Sequence, residues 1–176
     1  QYRYINYKIN GDNDKFDYNA DALQNLAVND HFNFFNPKAG RNWDIDANNR
    51  VYASFSIAQK EPTRNNYTDG NADEYPKAEK LLDYELGYTY RNTWLSAGAN
   101  FYYMDYKDQL VLTGELNEIG EAMARNVPDS YQMGVDLMLG GKPCQWFQWD
   151  IIGTLSKKRV KNFTEKLYED EWKNPI

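Results

Sequence analysis

Three groups of side chains have types and spacings that suit chemistry or binding. Arg64, Asn65, Asn66 and Tyr67 follow Glu61-Pro62 directly. A guanidinium beside a phenol suits an anionic or catecholate solute, held by charge-assisted hydrogen bonds and stacking. The competing reading is that Glu61 and Arg64 tie a loop to its neighbours. Glu115, Asn117, Glu118 and Arg125 form a second polar group of the same kind. Asp83 and Glu85 are two residues apart, which on a strand turns both carboxylates to one face. In an enzyme such a pair serves as general acid and base.

Other groups argue against catalysis. His31 is the one histidine, so neither a triad with a metal site nor a histidine cluster can be built. It reads as an ordinary residue near a strand end. Cys144 is the one cysteine and reads as an incidental thiol. Asp12, Asp14 and Asp17 lack the glycine and distal glutamate of a calcium loop, so they read as a solvated acidic loop. Asp69, Asp73 and Glu74 read the same way. No nucleophile elbow, phosphate loop, HExxH or CxxC is present, and no cofactor or metal is implied. The chain is expected not to be an enzyme.

The elements that must position these groups are strands. In 94–104, Leu95, Ala97, Ala99, Phe101 and Tyr103 alternate with Ser96, Gly98, Asn100 and Tyr102. Period two recurs in 51–57, 81–90, 130–139 and 145–156. Weaker strands are expected at 1–9 and at 32–45, the latter interrupted by Pro37. The connections between these seven candidates alternate. Short turns lie near 46–49, 91–93 and 140–143; long polar loops are expected near 10–30, 61–79, 112–128 and 158–176. Short turns at one end and long loops at the other is the layout of a transmembrane barrel, the long loops then being extracellular.

Composition agrees. The 176 residues suit one domain. The 15 Tyr, 8 Phe and 5 Trp favour strands over helices. Mean hydropathy is −0.86, with no apolar run long enough for a membrane helix. A barrel wall alternates lipid-facing and water-facing residues, so low mean hydropathy is compatible with it. A net charge of −6 argues against nucleic acid as a partner. Alternation alone leaves rivals open: a soluble β-sandwich such as a carbohydrate-binding module, or a complete small barrel. Aromatics near strand ends, among them Tyr88, Tyr90, Trp94, Trp146 and Trp149, favour the membrane reading.

A series of motifs strengthens it. Phe34-Phe35-Asn36-Pro37-Lys38-Ala39-Gly40 resembles a strand of TonB-dependent outer-membrane receptors. Val51-Tyr52-Ala53-Ser54-Phe55-Ser56-Ile57-Ala58 with Glu61-Pro62-Thr63-Arg64 resembles their next segment. Tyr84-Glu85-Leu86-Gly87-Tyr88, Asn100-Phe101-Tyr102-Tyr103-Met104-Asp105-Tyr106-Lys107-Asp108-Gln109-Leu110, Asn126 with Gly134-Val135-Asp136-Leu137, and Thr154-Leu155-Ser156-Lys157 are similar to later strands in the family's order. The asparagine-rich loops resemble a Bacteroides-type member.

The resemblance implies an all-β, antiparallel up-and-down meander, part of a 22-stranded transmembrane β-barrel in the bacterial outer membrane. Residues 1–176 would form a partial barrel of about seven strands. The plug domain, the energy-coupling box and the final strand are expected outside this stretch, as is a secretion leader. The implied activity is uptake of a large scarce solute such as a ferric siderophore, energised by TonB through the plug. Membrane lipid would be the outer partner. Asp83 and Glu85 would then line the bore and meet basic plug residues.

Overall fold

The computed structural model describes residues 1–17, 22–68, 75–116 and 122–161. In chain order the elements are β1 (Tyr2–Asp17), β2 (Ala22–Phe35), β3 (Lys38–Asp44), β4 (Asn49–Lys60), α1 (Arg64–Thr68), β5 (Glu79–Arg91), β6 (Leu95–Leu116), β7 (Ala122–Cys144) and β8 (Phe147–Val160). β1 pairs with β2, and β3 to β8 form a six-stranded sheet in sequence order. Every pairing is antiparallel. No described helix is long and apolar enough to cross a membrane.

The break between β2 and β3 is chemical rather than geometric. Gln1 and Asn36 exchange backbone hydrogen bonds on one edge, and Ile57 N–H donates to Pro37 O on the other. Gln59 Nε2 donates to Phe35 O on that same second edge. Backbone groups therefore alternate sides without a bulge from Phe35 to Lys38. Pro37 has no N–H to return the bond from β4, so the ladder loses one rung there. β2 and β3 are one continuous pass, and the eight described strands make a meander of seven passes.

Because cross-strand partners share a face, the registers define two faces. On one lie Val51, Ala53 and Phe55, opposite Tyr88, Leu86 and Tyr84, then Ala99, Phe101 and Tyr103, then Leu137, Val135 and Met133. No described residue covers this face as a second layer. Leu86 is 53% exposed, Phe101 56% and Leu155 73%. The other face carries Ser54, Ser56, Asp83, Glu85, Asn100, Asp136 and Thr154. Met138 and Ile152 interrupt it near the short turns. A soluble sandwich would bury the apolar face against a second sheet. Its exposure removes the carbohydrate-binding sandwich from consideration.

Toward the short turns one charge stands on the apolar face: Arg41, opposite Ala53. It is three residues from the end of β3 at Asp44 and next to exposed Trp43. At that border a long basic side chain reaches polar surroundings while its stem stays on apolar surface.

The short turns are closed by side chains. Asp46 Oδ1 accepts from the N–H groups of Asn48 and Asn49, both at 2.8 Å. Asn92 Oδ1 accepts from Trp94 N at 3.0 Å and Leu95 N at 2.7 Å. These Asx turns reverse the chain within a few residues.

At the other end the strands run beyond what alternation shows. Residues 10–17 and 22–30, expected within a long loop, are paired as β1 and β2 down to Asp17 and Ala22. Residues 112–116 and 122–128, also expected as loop, extend β6 and β7. β8 continues to Val160; residues 162–176 lie outside the described set. The extensions are polar on at least one face in sequence, so they give no apolar stripe to read. Ladder hydrogen bonds carry them, joined by the burial of Leu26, Val28 and Val127. The buried hydrophobic side chains among the described residues, Leu26, Val28, Phe34, Tyr67 and Val127, all sit at this long-loop end.

Candidate functional site

Two neighbouring zones hold the functional side chains: the polar face of the sheet and the cluster at its long-loop end.

On the polar face, Ser54 Oγ donates to Glu85 Oε2 at 3.1 Å and Ser56 Oγ to Asp83 Oδ2 at 3.5 Å. Thr154 Oγ1 donates to Asp136 Oδ1 at 2.8 Å. Each pair crosses adjacent strands at the same ladder position. The carboxylates are thus oriented by hydroxyls but are not consumed by cations among the described residues. Asp83 Oδ1 and Asn100 Oδ1 are buried without a hydrogen-bond partner. Two tyrosines cover glycines of the next strand. A Cβ on Gly87 would collide with the ring of Tyr52, and one on Gly134 would stand 2.5 Å from the hydroxyl of Tyr102. Glycine is required at both because the phenol occupies the side-chain space. The result is a hydroxyl- and carboxylate-lined wall, able to hydrogen-bond but lacking a nucleophile–base pair. No described group of His, Cys, Asp and Glu is arranged to hold a metal ion.

At the long-loop end, the four residues predicted around Arg64 divide by role. Tyr67 is 6% exposed. Its hydroxyl donates to Asp30 Oδ2 at 2.6 Å, and its ring stacks on Tyr7 at 5.3 Å between centroids. Burial first, and the Asp30 carboxylate second, push its phenol above the ordinary tyrosine range. Asn66 closes the helix start: its Oδ1 accepts from Thr63 N at 2.8 Å and Thr63 Oγ1 at 2.7 Å. Arg64 and Asn65 are exposed. Glu61 pairs with Arg3, not with Arg64, and Arg3 also lies over the Phe34 ring at 5.2 Å. The loop therefore docks on the β1–β2 hairpin.

The second predicted group is less gathered. Arg125 is exposed on β7 opposite Val111. The backbone of Glu115 lies near the end of β6. Asn117 and Glu118 lie outside the described residues. Asp30 and Arg3 escaped sequence reading because their partners are 37 and 58 positions away, with no local signal.

Asn126 ties down the far end of the same connection. Its Oδ1 accepts from Lys77 N at 2.7 Å, while its Nδ2 donates to Lys77 O at 3.0 Å and to Asp108 O at 2.5 Å. Asp108 has φ of 51°, a left-handed conformation that aspartate tolerates better than most residues.

Comparisons with known proteins accord with this geometry. A family model described as "TonB dependent receptor-like, beta-barrel" matches residues 2–174. No curated protein matches. Among solved structures, the chain is similar to a copper transporter, OprC, at TM-score 0.66 and 19% identity, over 81% of this chain and 23% of that one. It is similar to the siderophore receptor PirA from Pseudomonas aeruginosa at 0.63 and 18%, over 78% of this chain and 28% of that one. It is also similar to the ferric-catecholate import receptor Fiu from E. coli K12 at 0.58 and 17%, over 91% of this chain and 24% of that one. The chain thus spans about a quarter of the structures it matches. With a bare apolar face, a polar opposite face and a family match over nearly its whole length, the chain belongs to the TonB-dependent receptor β-barrel family, whose barrels sit in the bacterial outer membrane and transport solutes rather than convert them.

Proposed function

We propose that this chain is wall and loop of a receptor that takes up a large scarce solute, such as a ferric siderophore, driven by TonB through a plug elsewhere in the receptor. The observation that carries the reading is the two-faced single layer: Leu86, Phe101 and Leu155 toward lipid, Asp83, Glu85 and Asp136 toward a wet bore. A wall that polar suits a plug or a hydrated solute and has no use in a dry core. The long loops would face the exterior. Of the polar residues there, Arg64, Asn65 and Arg125 are exposed and would meet the solute, with Glu115 and Asn117 beside them. Asn66 and Tyr67 would hold α1 in place for that contact. The asparagine-rich loops support a Bacteroides-type member.

The test is made in the source bacterium. The gene for the whole receptor is deleted, and growth is measured on ferric catecholate, ferric citrate, haem or copper as limiting nutrient, with and without active TonB. Loss of growth on one nutrient, reproduced by TonB inactivation, supports the proposal and names the solute. Unchanged uptake of every nutrient, or uptake that survives without TonB, overturns it.

A further inference from the structure

The apolar face ends in a band of cations. Along β8, Lys157 and Arg159 follow Leu155 on the outward face, and Lys161 lies beyond them with its Nζ 5.9 Å from the centroid of the outward Tyr131 ring. On the same face of β5 and β6, Lys80 stands directly opposite Lys107. All five are exposed. Against them stand Asp105 and Asp129, so the band is cationic on a chain whose net charge is −6.

The height of this band is set by strand length. Lys157, Lys107 and Lys80 sit ten, twelve and eleven residues from the short-turn ends of their strands at Phe147, Leu95 and Arg91. A tilted strand crosses the hydrocarbon in about 9–11 residues. The cations therefore stand where hydrocarbon gives way to headgroups. Beside and below them runs a row of aromatic rings, Phe55, Tyr84, Tyr103 and Tyr131, with successive centroids 4.9, 6.4 and 6.0 Å apart and Tyr131 directly opposite Arg159. Such a girdle marks the interface.

The band is also short of anions. Lys107 is paired with Asp129 and lies 3.9 Å from Asp105. Lys80, Lys157 and Arg159 make no ion pair with a described residue. Lys80 stands opposite a like charge, and like charges directly opposite on neighbouring strands repel.

We propose that Lys80, Lys107, Lys157, Arg159 and Lys161 bind phosphate-bearing lipid headgroups in the membrane leaflet at the long-loop end. Arginine and lysine hold phosphate by charge-assisted hydrogen bonds, and the aromatic row beside them seats the acyl chains. The inference rests on the barrel reading above.

The test uses the full-length receptor in neutral detergent. Lipid binding is read by native mass spectrometry with phosphatidic acid, with phosphatidylcholine and with inorganic phosphate. Phosphatidic acid is expected to bind best. Combined Lys80→Gln, Lys157→Gln and Arg159→Gln should weaken it by about a hundredfold, since each basic residue near an anionic surface contributes roughly a factor of five. Lys142→Gln with Lys158→Gln, which remove cations from the short-turn end and the polar face, should leave binding unchanged. Equal binding of phosphatidylcholine, or of phosphatidic acid by the triple variant, overturns the proposal. Inorganic phosphate binding as tightly as the lipid also overturns it, in favour of a soluble-anion site. Heat-modifiable migration on gels reports barrel folding in each variant. Its absence from the wild-type receptor would undo the barrel reading itself, separately from lipid binding.

Discussion

The side-chain amide of Asn126 pairs with the backbone of Lys77 as one strand pairs with another, accepting from its N–H and donating to its carbonyl at 2.7 and 3.0 Å. One side chain thus does the work of a ladder rung between β7 and the connection leading into β5. Asn126→Asp keeps the acceptor but loses both donated bonds, and Asn126→Ala loses all three. Each should free the 75–78 segment, at a local cost of about 1–3 kcal/mol. Amide hydrogen exchange at Lys77 should accelerate strongly in Asn126→Ala and less in Asn126→Asp, which keeps its acceptor, while the midpoint of global unfolding moves little. Unchanged exchange at Lys77 would falsify the clamp.

Tyr67 should make the loop sensitive to alkali. Its phenol is held above the ordinary tyrosine range by burial and by the Asp30 carboxylate that accepts its proton. The folded loop favours the neutral form, so this contribution is complete below the ordinary pKa of about 10 and is lost as pH rises toward the higher folded value. Proteolysis within residues 61–78 should quicken above that pH in the wild type. Tyr67→Phe should cut faster at neutral pH, since Asp30 loses a hydrogen bond worth about 1–3 kcal/mol, and should show a flatter alkaline response.

Asp46 acts in the opposite direction at the other end. The N–H of Asn48, then the side chain of Asn49, hold its carboxyl below the usual aspartate value. The turn's contribution is therefore present above the ordinary aspartate pKa and fades as pH falls through the lower folded value. Protection of the Asn48 and Asn49 amides, relative to their intrinsic exchange at each pH, should fall on acidification in the wild type. In Asp46→Ala it should already be small at neutral pH and show no such fall.

Tyr52 and Gly87 should be coupled. A methyl at Gly87 meets the Tyr52 ring, so Gly87→Ala should destabilise refolding into vesicles by about 1–3 kcal/mol. Adding Tyr52→Ala empties that space, and the double variant should cost less than the two single changes summed. Strict additivity in urea titrations would mean that the ring does not rest on the glycine when the barrel is in lipid.

The two faces can be separated by one charge. Phe101 is outward and Asn100 inward on the same strand. Phe101→Arg should cost about 2–4 kcal/mol in vesicle refolding, the penalty of arginine at mid-bilayer, whereas Asn100→Arg should cost far less. A greater cost for Asn100→Arg would mean that the faces have been assigned the wrong way round, and equal costs that the two faces meet the same medium.

How much of this could be read along the chain varies by element. The alternation in Leu95–Tyr103 and Tyr131–Leu139 marks strand and face together, because each side chain answers only to the medium it meets, while the membrane setting is marked by the series of motifs. Pro37 announces an interrupted ladder for an equally local reason, its missing N–H. The ends of β1, β2, β6 and β7 were not legible, since residues such as Asn10-Gly11-Asp12 have water nearby on either side and no apolar stripe to betray pairing. In the candidate site, Arg64 and Asn65 are as exposed as their loop position suggests, whereas Tyr67 is turned inward onto Tyr7 and Asp30.

Residue order alone therefore determined the strands, their apolar and polar faces and the resemblance to the receptor family's order of strands. That is possible because period two is a property of single residues and their solvent. Tertiary structure alone decided that the apolar face stays bare as a single layer, which loop residues stand exposed and which lock the loop. Those roles depend on meetings such as Tyr67 with Asp30, Glu61 with Arg3 and Lys77 with Asn126. Such meetings are fixed by strand register and by the path of a connection between strands, and neither leaves a mark on the residues nearby in the chain.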